Sequence, residues 1–182
     1  MSSKLVPTLL AAAALGAGLT ATEAQMPPPA APAPYALDDV PDKMPFDIPY
    51  GVPISLEGAN AAIAATVAEA RKHDWKLDIA VVDSGGNLVA FARMDGAQLA
   101  SIQIAEHKAR TAATFRRETK VFEKGIQQSN NLYVMTLDGI IGSRGGIPLI
   151  AGGKLIGAIG CSGGTGSQDE VACKAGVGSI TK

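Results

Sequence analysis

Gly145–Gly176 reads GGIPLIAGGKLIGAIGCSGGTGSQDEVACKAG, and this stretch does most to decide the fold. Leu155–Cys161 is an apolar run interrupted only by glycine, which predicts a short buried strand. Ile147–Ile150 is a second apolar run, and the turn sequence Ala151-Gly152-Gly153-Lys154 separates the two. We therefore predict a β-hairpin, then a glycine-rich loop, then a helix from about Gln168 to Ser179.

The glycine-rich loop Ser162–Ser167 joins the predicted strand to this last helix. Asp169 and Glu170 follow, where the first turn of a helix favours acidic side chains. Backbone N–H groups at such a helix start form a natural seat for a carboxylate or a phosphate. A tight turn that needs glycine for positive φ explains the same residues. The sequence lacks the Gly-Lys-Ser/Thr ending of a P-loop, and both interpretations stay open.

The N-terminus has the pattern of a secretory signal peptide. Lys4 precedes the apolar run Leu9–Leu19, and Thr22-Glu23-Ala24 is a small-x-small cleavage sequence. The apolar run is too short for a typical membrane-spanning helix, and an N-terminal membrane anchor is the alternative. We expect residues 1–24 to be removed, the mature protein to be periplasmic or secreted, and no membrane span to remain.

Residues 25–51 are expected to be a proline-rich linker that leads into a docking arm. Met26–Pro34 reads MPPPAAPAP, a composition that favours extended polyproline structure over helix. Tyr35, Phe46 and Tyr50 offer aromatic anchors that would pin the arm onto the domain or onto a neighbouring subunit. Plain disorder of the segment is the alternative.

Residues 52–182 fit one domain, because their length suits a single hydrophobic core. Hydrophobic residues make up 47% of the chain but aromatic residues only 4%, so we expect a core of small aliphatic side chains. The net charge of −1 lacks the basic balance that nucleic-acid binding requires, and we expect no nucleic-acid partner.

The middle of the chain alternates between helical and strand patterns. Ser55 is a good N-cap for a helix that runs to about His73. The further predicted elements are a strand Leu77–Asp83, a turn at 84–87, a strand Leu88–Met94, a helix from about Ala100 to Glu118, a short helix capped by Thr119 to about Gln128, and a weaker strand Leu132–Leu137. This order predicts an α+β fold with an antiparallel sheet covered by helices.

The two cysteines lie at a strand end and in the following helix. In an exported protein Cys161 and Cys173 would form a disulfide if the geometry permits it. Two buried free thiols are the alternative.

Several separate blocks of the sequence resemble the GlcG/HbpS family, also called the DUF336 domain. The similarity covers essentially Ser55 to the C-terminus. The blocks are DIAVVDSGG from Asp78 to Gly86, RMDGA from Arg93 to Ala97, AEHKARTA from Ala105 to Ala112, GGIP from Gly145 to Pro148, GAIG from Gly157 to Gly160, and SGG from Ser162 to Gly164.

The resemblance implies a profilin-like α/β/α sandwich, with a central antiparallel sheet flanked by helices, that assembles into homo-oligomers. It also implies haem binding, since exported members look like haem sensors or carriers. Haem-binding relatives use histidines near the start of the first helix, whereas this helix begins Ser55-Leu56-Glu57. The family also has an aliphatic residue where this chain has Cys161.

Two histidines are present, and His107 is the better candidate to ligate haem iron. It shares a polar helix face with Arg110 and Thr114, so a guanidinium is ready for a haem propionate. His73 lies in the charged sequence RKHDW and is read as a solvated surface residue. A surface histidine on an amphipathic helix is likewise the alternative for His107. We expect haem, or a comparable anion, between the second helix and the glycine-rich loop, held by His107, Arg110, Thr111, Thr114, Ser162, Gly163 and Gly164.

A second functional hypothesis is a lyase or isomerase that acts on a small carboxylated metabolite. Arg93, Asp95 and Lys108 would then be the catalytic candidates, holding and protonating the substrate. Asp95 is equally explained as a turn residue, and Lys108 as a side chain that extends outward to solvent. A scaffold that acts through assembly alone is a third class. The primary prediction is an exported protein that binds a small ligand, with haem as the expected cofactor; enzyme activity is left open.

Export generates the first testable prediction. Protein isolated from its native host should begin near Gln25, because cleavage after Ala24 follows from the signal-peptide pattern. N-terminal sequencing checks this. A soluble cytoplasmic protein that retains Met1 would contradict it.

Overall fold

The computed structural model describes residues 40, 42–44 and 46–180. The predicted signal peptide and the proline-rich part of the linker lie outside these described residues. Contacts divide the chain after Val40, and the unit Pro41–Lys182 contains all the helices and strands described below. The helices and strands are α1 (Leu56–Lys72), β1 (Asp78–Asp83), β2 (Leu88–Arg93), α2 (Ser101–Thr114), α3 (Thr119–Ser129), β3 (Gly146–Ala151), β4 (Lys154–Ser162) and α4 (Gly166–Ile180).

The four strands form one antiparallel sheet in the order β2-β1-β4-β3. The hairpin predicted from Ile147 to Cys161 is present as β3 and β4, and β4 pairs with β1 from Asp78 opposite Ser162 to Asp83 opposite Gly157. The first hairpin, β1 and β2, occupies the other side of the sheet. The predicted α+β fold is confirmed.

Helices cover both faces of the sheet. On one face, α1 and α4 pack together over a core that includes Ile79, Val81 and Ile159. On the other face, α2 packs over Ala80, Val82 and Ala158. The result is an α/β/α sandwich whose buried residues are mostly small and aliphatic, as the composition predicts.

Glycine in β4 lets α2 lie unusually close to the sheet. A Cβ atom at Gly160 would collide with the backbone of Ala105 and Ala109 on α2. Gly146 on β3 has the same relation to the carbonyl group of Lys108. Any side chain at these positions would push the helix off the sheet, so the glycines fix where α2 and its side chains lie.

The arm between residues 46 and 51 docks onto this domain. Tyr50 forms an isolated parallel bridge with Leu155, and the Gly51 N–H donates to the Leu155 carbonyl at 2.7 Å. Arg117 places its guanidinium 3.2 Å from the ring centroid of Phe46, and Arg116 donates to the Ile48 carbonyl at 3.1 Å. Cation–π and hydrogen-bond contacts therefore hold the segment in place.

One predicted helix end, one predicted cap and one predicted strand differ clearly from the structure. The second helix ends at Thr114 rather than Glu118, because Arg116 has φ of 53° and leaves the helical region. Thr119 does not cap α3; its hydroxyl instead accepts a hydrogen bond from the Gly146 N–H at 2.9 Å. The predicted strand Leu132–Leu137 is wrong: Leu132–Thr136 is a short 3-10 helix.

Cys161 on β4 and Cys173 on α4 form a disulfide with a Cα–Cα distance of 5.9 Å. Both residues are fully buried and lie in the core shared by α1 and α4. The two cysteines are therefore joined by a disulfide and are not two buried free thiols. Within the described residues, no helix is both long enough and apolar enough to cross a bilayer.

The disulfide predicts a measurable stabilisation. A Cys161→Ala/Cys173→Ala variant should lose about 3 kcal/mol of unfolding free energy, because the bridge closes a short loop in the unfolded chain. Urea denaturation of both proteins checks this. Thiol titration of denatured, unreduced wild-type protein should find no free thiol, and two free thiols would contradict the bridge.

Candidate functional site

The outward face of α2 carries a polar depression of about 330 Å³ lined by Gln103, Glu106, His107 and Arg110. His107 is half-buried, and its ring has no hydrogen-bond partner among the described residues. The helical spacing predicted from the sequence therefore does bring His107 and Arg110 together.

Arg110 is braced by the turn of the first hairpin. Its Nε donates to the Gly86 carbonyl at 3.4 Å, and its aliphatic stem lies beside Gly86 together with Thr114. Thr114 is exposed, its hydroxyl donates to the Arg110 carbonyl, and its own carbonyl accepts from Tyr50 at 3.1 Å. The docked arm and the hairpin thus both contact the end of this face.

Lys108 lies on the opposite side of α2 and is only 1% exposed. Its Nζ lies 2.8 Å from Oδ2 of Asp169, which is 2% exposed, and donates to the Cys161 carbonyl at 3.1 Å. Lys108 was expected to be partly exposed, but it forms a buried ion pair with Asp169 that joins α2 to α4. Lys108 therefore presents no amine to a ligand on the outer face.

Two opposing effects act on the pKa of Asp169. Burial raises the pKa of its carboxyl group, while Lys108 and the Gly164 N–H favour the charged form. The Gly164 N–H donates to Oδ1 of Asp169 at 3.0 Å. The neighbouring Glu170 differs: burial alone would raise its pKa, but hydrogen bonds from Lys120 and Lys174 lower it.

The glycine-rich loop is organised by the chain's own side chains. The Gly164 N–H donates to Asp169, and the Thr165 N–H donates to Oε1 of Gln168 at 2.8 Å. Ser162 is buried and its hydroxyl lies 3.0 Å from that of Ser101, at the start of α2. Gly163 packs its backbone against residues 76 and 77 with φ of 141°. These contacts occupy the Gly164 and Thr165 amides, two of the groups that an anion at this loop would use.

The predicted ligand-binding residues consequently fall into separate places. Thr111 is buried, with its hydroxyl donating to the Gly139 carbonyl at 2.7 Å, so this hydroxyl is used within the fold. The Ser162–Gly164 segment lies beside Ser101, at the N-terminal end of α2. The structure therefore brings together His107, Arg110 and Thr114, but not the loop, because the loop packs at one end of the helix.

The candidate catalytic residues also separate. Arg93 and Asp95 line one cleft at the end of β2, together with Trp75. Lys108 is not among the residues of this cleft, since its amine is buried against Asp169. The proposed set of three is therefore not one constellation. Among the described residues, no group of three or more His, Cys, Asp or Glu side chains is placed to hold a metal ion.

Sequence reasoning missed two buried carboxylates. It assigned Asp169 only to a helix start, although a lysine on an otherwise apolar helix side signals a buried acid partner. Asp78 at the start of β1 is fully buried, and neither carboxylate oxygen has a hydrogen-bond partner within the described structure. Burial raises the pKa of Asp78, and the charge of Arg93 partly opposes this.

The sequence matches a known protein family. Residues 54–178 match the family described as "Haem degrading protein HbpS-like". The chain belongs to this HbpS-like family. The family resemblance predicted from the sequence blocks is thereby confirmed. Protein GlcG of Escherichia coli (strain K12) is 41% identical over 109 residues, which is 60% of this chain and 81% of the relative.

Two solved structures support the same HbpS-like fold. The double mutant of HbpS from Streptomyces reticuli superposes with a TM-score of 0.66 at 30% identity, covering 79% of this chain and 97% of that one. A complex of PduOC with haem superposes with a TM-score of 0.64 at 26% identity, covering 71% and 96%.

The buried ion pair of this HbpS-like protein generates a stability prediction. Lys108→Met should cost about 3–5 kcal/mol of unfolding free energy, because Asp169 is left buried without its counter-charge. The double variant Lys108→Met/Asp169→Asn should recover most of that loss, since the neutral amide keeps an acceptor for the Gly164 N–H. Urea denaturation of both variants checks this.

The exposed pair Lys72–Glu69 supplies the matched control. Lys72→Met should leave the denaturation midpoint essentially unchanged, because exposed ion pairs add little to stability. Equal losses in Lys108→Met and Lys72→Met would show that the buried pair has no special role.

Proposed function

We propose that this chain is an exported haem-binding protein, with His107 as the iron ligand. The observation that carries the proposal is the outward face of α2, where a half-buried imidazole without an internal partner stands beside a braced guanidinium. The complex of the related PduOC with haem supports the choice of ligand. Bound haem supplies an iron atom that takes axial ligands and changes oxidation state.

The residues of this face fit two requirements of haem. The imidazole of His107 is a common axial ligand for haem iron. Arg110, held at the face by its contact with Gly86, is placed to pair with a propionate. Its guanidinium forms no ion pair with any acid of the described chain, so its charge is available to a ligand.

One copy of the chain does not enclose a haem. The depression is open and lined by polar side chains, whereas a porphyrin has two large apolar faces. We therefore propose that a second copy covers the outer face of α2, which makes the functional protein a homo-oligomer. A monomer that binds haem with full affinity would contradict this part of the proposal.

The proposal of export combines two observations. The signal-peptide pattern of residues 1–24 directs the chain out of the cytoplasm. The disulfide between Cys161 and Cys173 suits the oxidising compartment that an exported protein reaches. We propose a periplasmic or secreted location on these grounds.

The metabolite-enzyme hypothesis is the weaker of the two. Arg93 and Asp95 do share a cleft, but Lys108 is withdrawn from it into the ion pair with Asp169. The hypothesis therefore loses its candidate amine for proton transfer. Haem binding keeps both of its principal residues in one place.

Haem titration tests the proposal. Wild-type protein should give a saturable Soret band, and His107→Ala should lose the spectrum of imidazole-ligated haem because the axial imidazole is gone. Arg110→Gln should weaken affinity about tenfold or more while the spectrum is largely kept, since a charge-assisted contact contributes about 1.5–3 kcal/mol.

The second histidine provides the control variant. His73 lies at the exposed end of α1, 3.3 Å from Glu69, so His73→Ala should bind haem as the wild type does. If His107→Ala retains the wild-type spectrum and affinity, the ligand assignment is wrong. If the wild type shows no saturable haem binding, the proposed function fails.

A further inference from the structure

A cleft of about 400 Å³ opens where α1 ends and β2 ends, away from the outer face of α2. Its lining residues are Val67, Arg71, Asp74, Trp75, Lys76, Ala92, Arg93, Met94 and Asp95. We propose that this cleft binds a small organic monocarboxylate with an apolar body, with Trp75 contacting the body and Arg71 and Arg93 contacting the carboxylate. The site is independent of the proposed haem binding and shares no residue with it.

The floor of the cleft is apolar and firmly supported. Val67, Trp75, Ala92 and Met94 all pack against the main hydrophobic core beneath α1 and α4. The ring of His73 stacks on the Trp75 indole, with centroids 4.3 Å apart and an interplanar angle of 20°. An indole held in this way offers a preformed surface to an apolar group, at little cost in conformational entropy.

The rim of the cleft carries two arginine side chains that form no close ion pair. Arg71 lies in the last turn of α1 and Arg93 at the end of the edge strand β2, so they approach from different elements. Neither guanidinium has an acid within 4.0 Å in the described part of the chain, and both are exposed. The charge of Arg93 also acts on the buried Asp78, which does not line the cleft. Unpaired arginines beside an apolar floor are suited to a carboxylate, which they can bind through two parallel hydrogen bonds.

The acids of the rim set the charge of the ligand. Asp74 and Asp95 line the cleft with Arg71, Lys76 and Arg93, and only Lys76 pairs with an acid, at 3.5 Å from Asp74. The lining therefore has a small positive excess. A single negative charge neutralises this excess, whereas a dianion such as phosphate would leave the cleft with a net negative charge.

The volume of the cleft limits the ligand to a small molecule. About 400 Å³ lies at the lower end of the range for small-molecule sites, so it suits a ligand of one ring or a short chain. A porphyrin is too large for it. The cleft is therefore expected to discriminate by both size and charge.

Trp75 gives the experiment its signal, because it is the single tryptophan of the chain. The haem-free protein is titrated with phenylacetate and with hexanoate while Trp75 emission is recorded, and calorimetry measures the same affinities. At least one carboxylate should bind saturably. Phenylacetamide, which lacks the charge, and inorganic phosphate, which lacks the apolar body, should bind at least about tenfold more weakly.

Variants locate the site. Arg71→Gln and Arg93→Gln should each weaken carboxylate binding about tenfold or more, because each removes a charge-assisted contact. Lys72→Gln is the matched control, since Lys72 neighbours Arg71 on α1 but pairs with Glu69 outside the cleft. Arg110→Gln should also leave carboxylate binding unchanged, which separates this site from the haem site.

Three results would overturn the proposal. They are the absence of saturable binding for both carboxylates, equal binding of phenylacetamide, and unchanged affinity in both arginine variants. If the haem titration shows no binding, the carboxylate titration still tests this cleft, because the two sites use different residues.

Discussion

A single buried ion pair connects the two helical layers of this protein. Lys108 on α2 and Asp169 on α4 meet past the end of the sheet where β3 begins and β4 ends, with both side chains almost fully buried. Two desolvated charges at 2.8 Å tolerate little displacement, since each is costly without the other. Asp169 also accepts the Gly164 N–H, so the pair fixes the glycine-rich loop as well as the register of α4 against α2.

The second constraint is the absence of bulk between α2 and the sheet. Gly160 and Gly146 allow the helix backbone to contact the strands, and Ala105 and Ala109 complete that interface. A helix seated so closely has one side fully committed to the core. Its polar side chains are therefore divided: Lys108 and Thr111 are buried on the inner side, and His107 and Arg110 line the depression on the outer face.

Several other charged side chains on the surface also connect separate parts of the fold. Arg116 and Arg117 hold the arm, and Arg144 connects Glu123 on α3 to Glu170 on α4. Arginines that are engaged in this way are structural. Arg71 and Arg93, which have no acid within 4.0 Å among the described residues, both line one cleft. That cleft and the α2 face share no lining residue, so they are separate candidate sites.

Local sequence patterns predict most of the helices and strands, and the sequence blocks predict the family. The apolar runs of Ile147–Ile150 and Leu155–Cys161, with glycines between them, predict the second hairpin because turn chemistry and strand periodicity act over a few residues. The spacing of His107 and Arg110 likewise places them on one helix face. The end of α2 was predicted too late in the chain: Arg116 leaves the helical region, and its side chain donates to the Ile48 carbonyl of the arm, a contact between distant segments.

Which polar groups are free of partners depends on contacts between distant segments. Lys108 and Asp169 are 61 residues apart in sequence, and no local pattern reveals that each neutralises the other. Two amides of the glycine-rich loop, those of Gly164 and Thr165, likewise donate to Asp169 and Gln168, whose side chains turn back onto the loop. Whether a charged or polar side chain binds a ligand or supports the fold depends on what lies opposite it, and that is set by packing between distant segments.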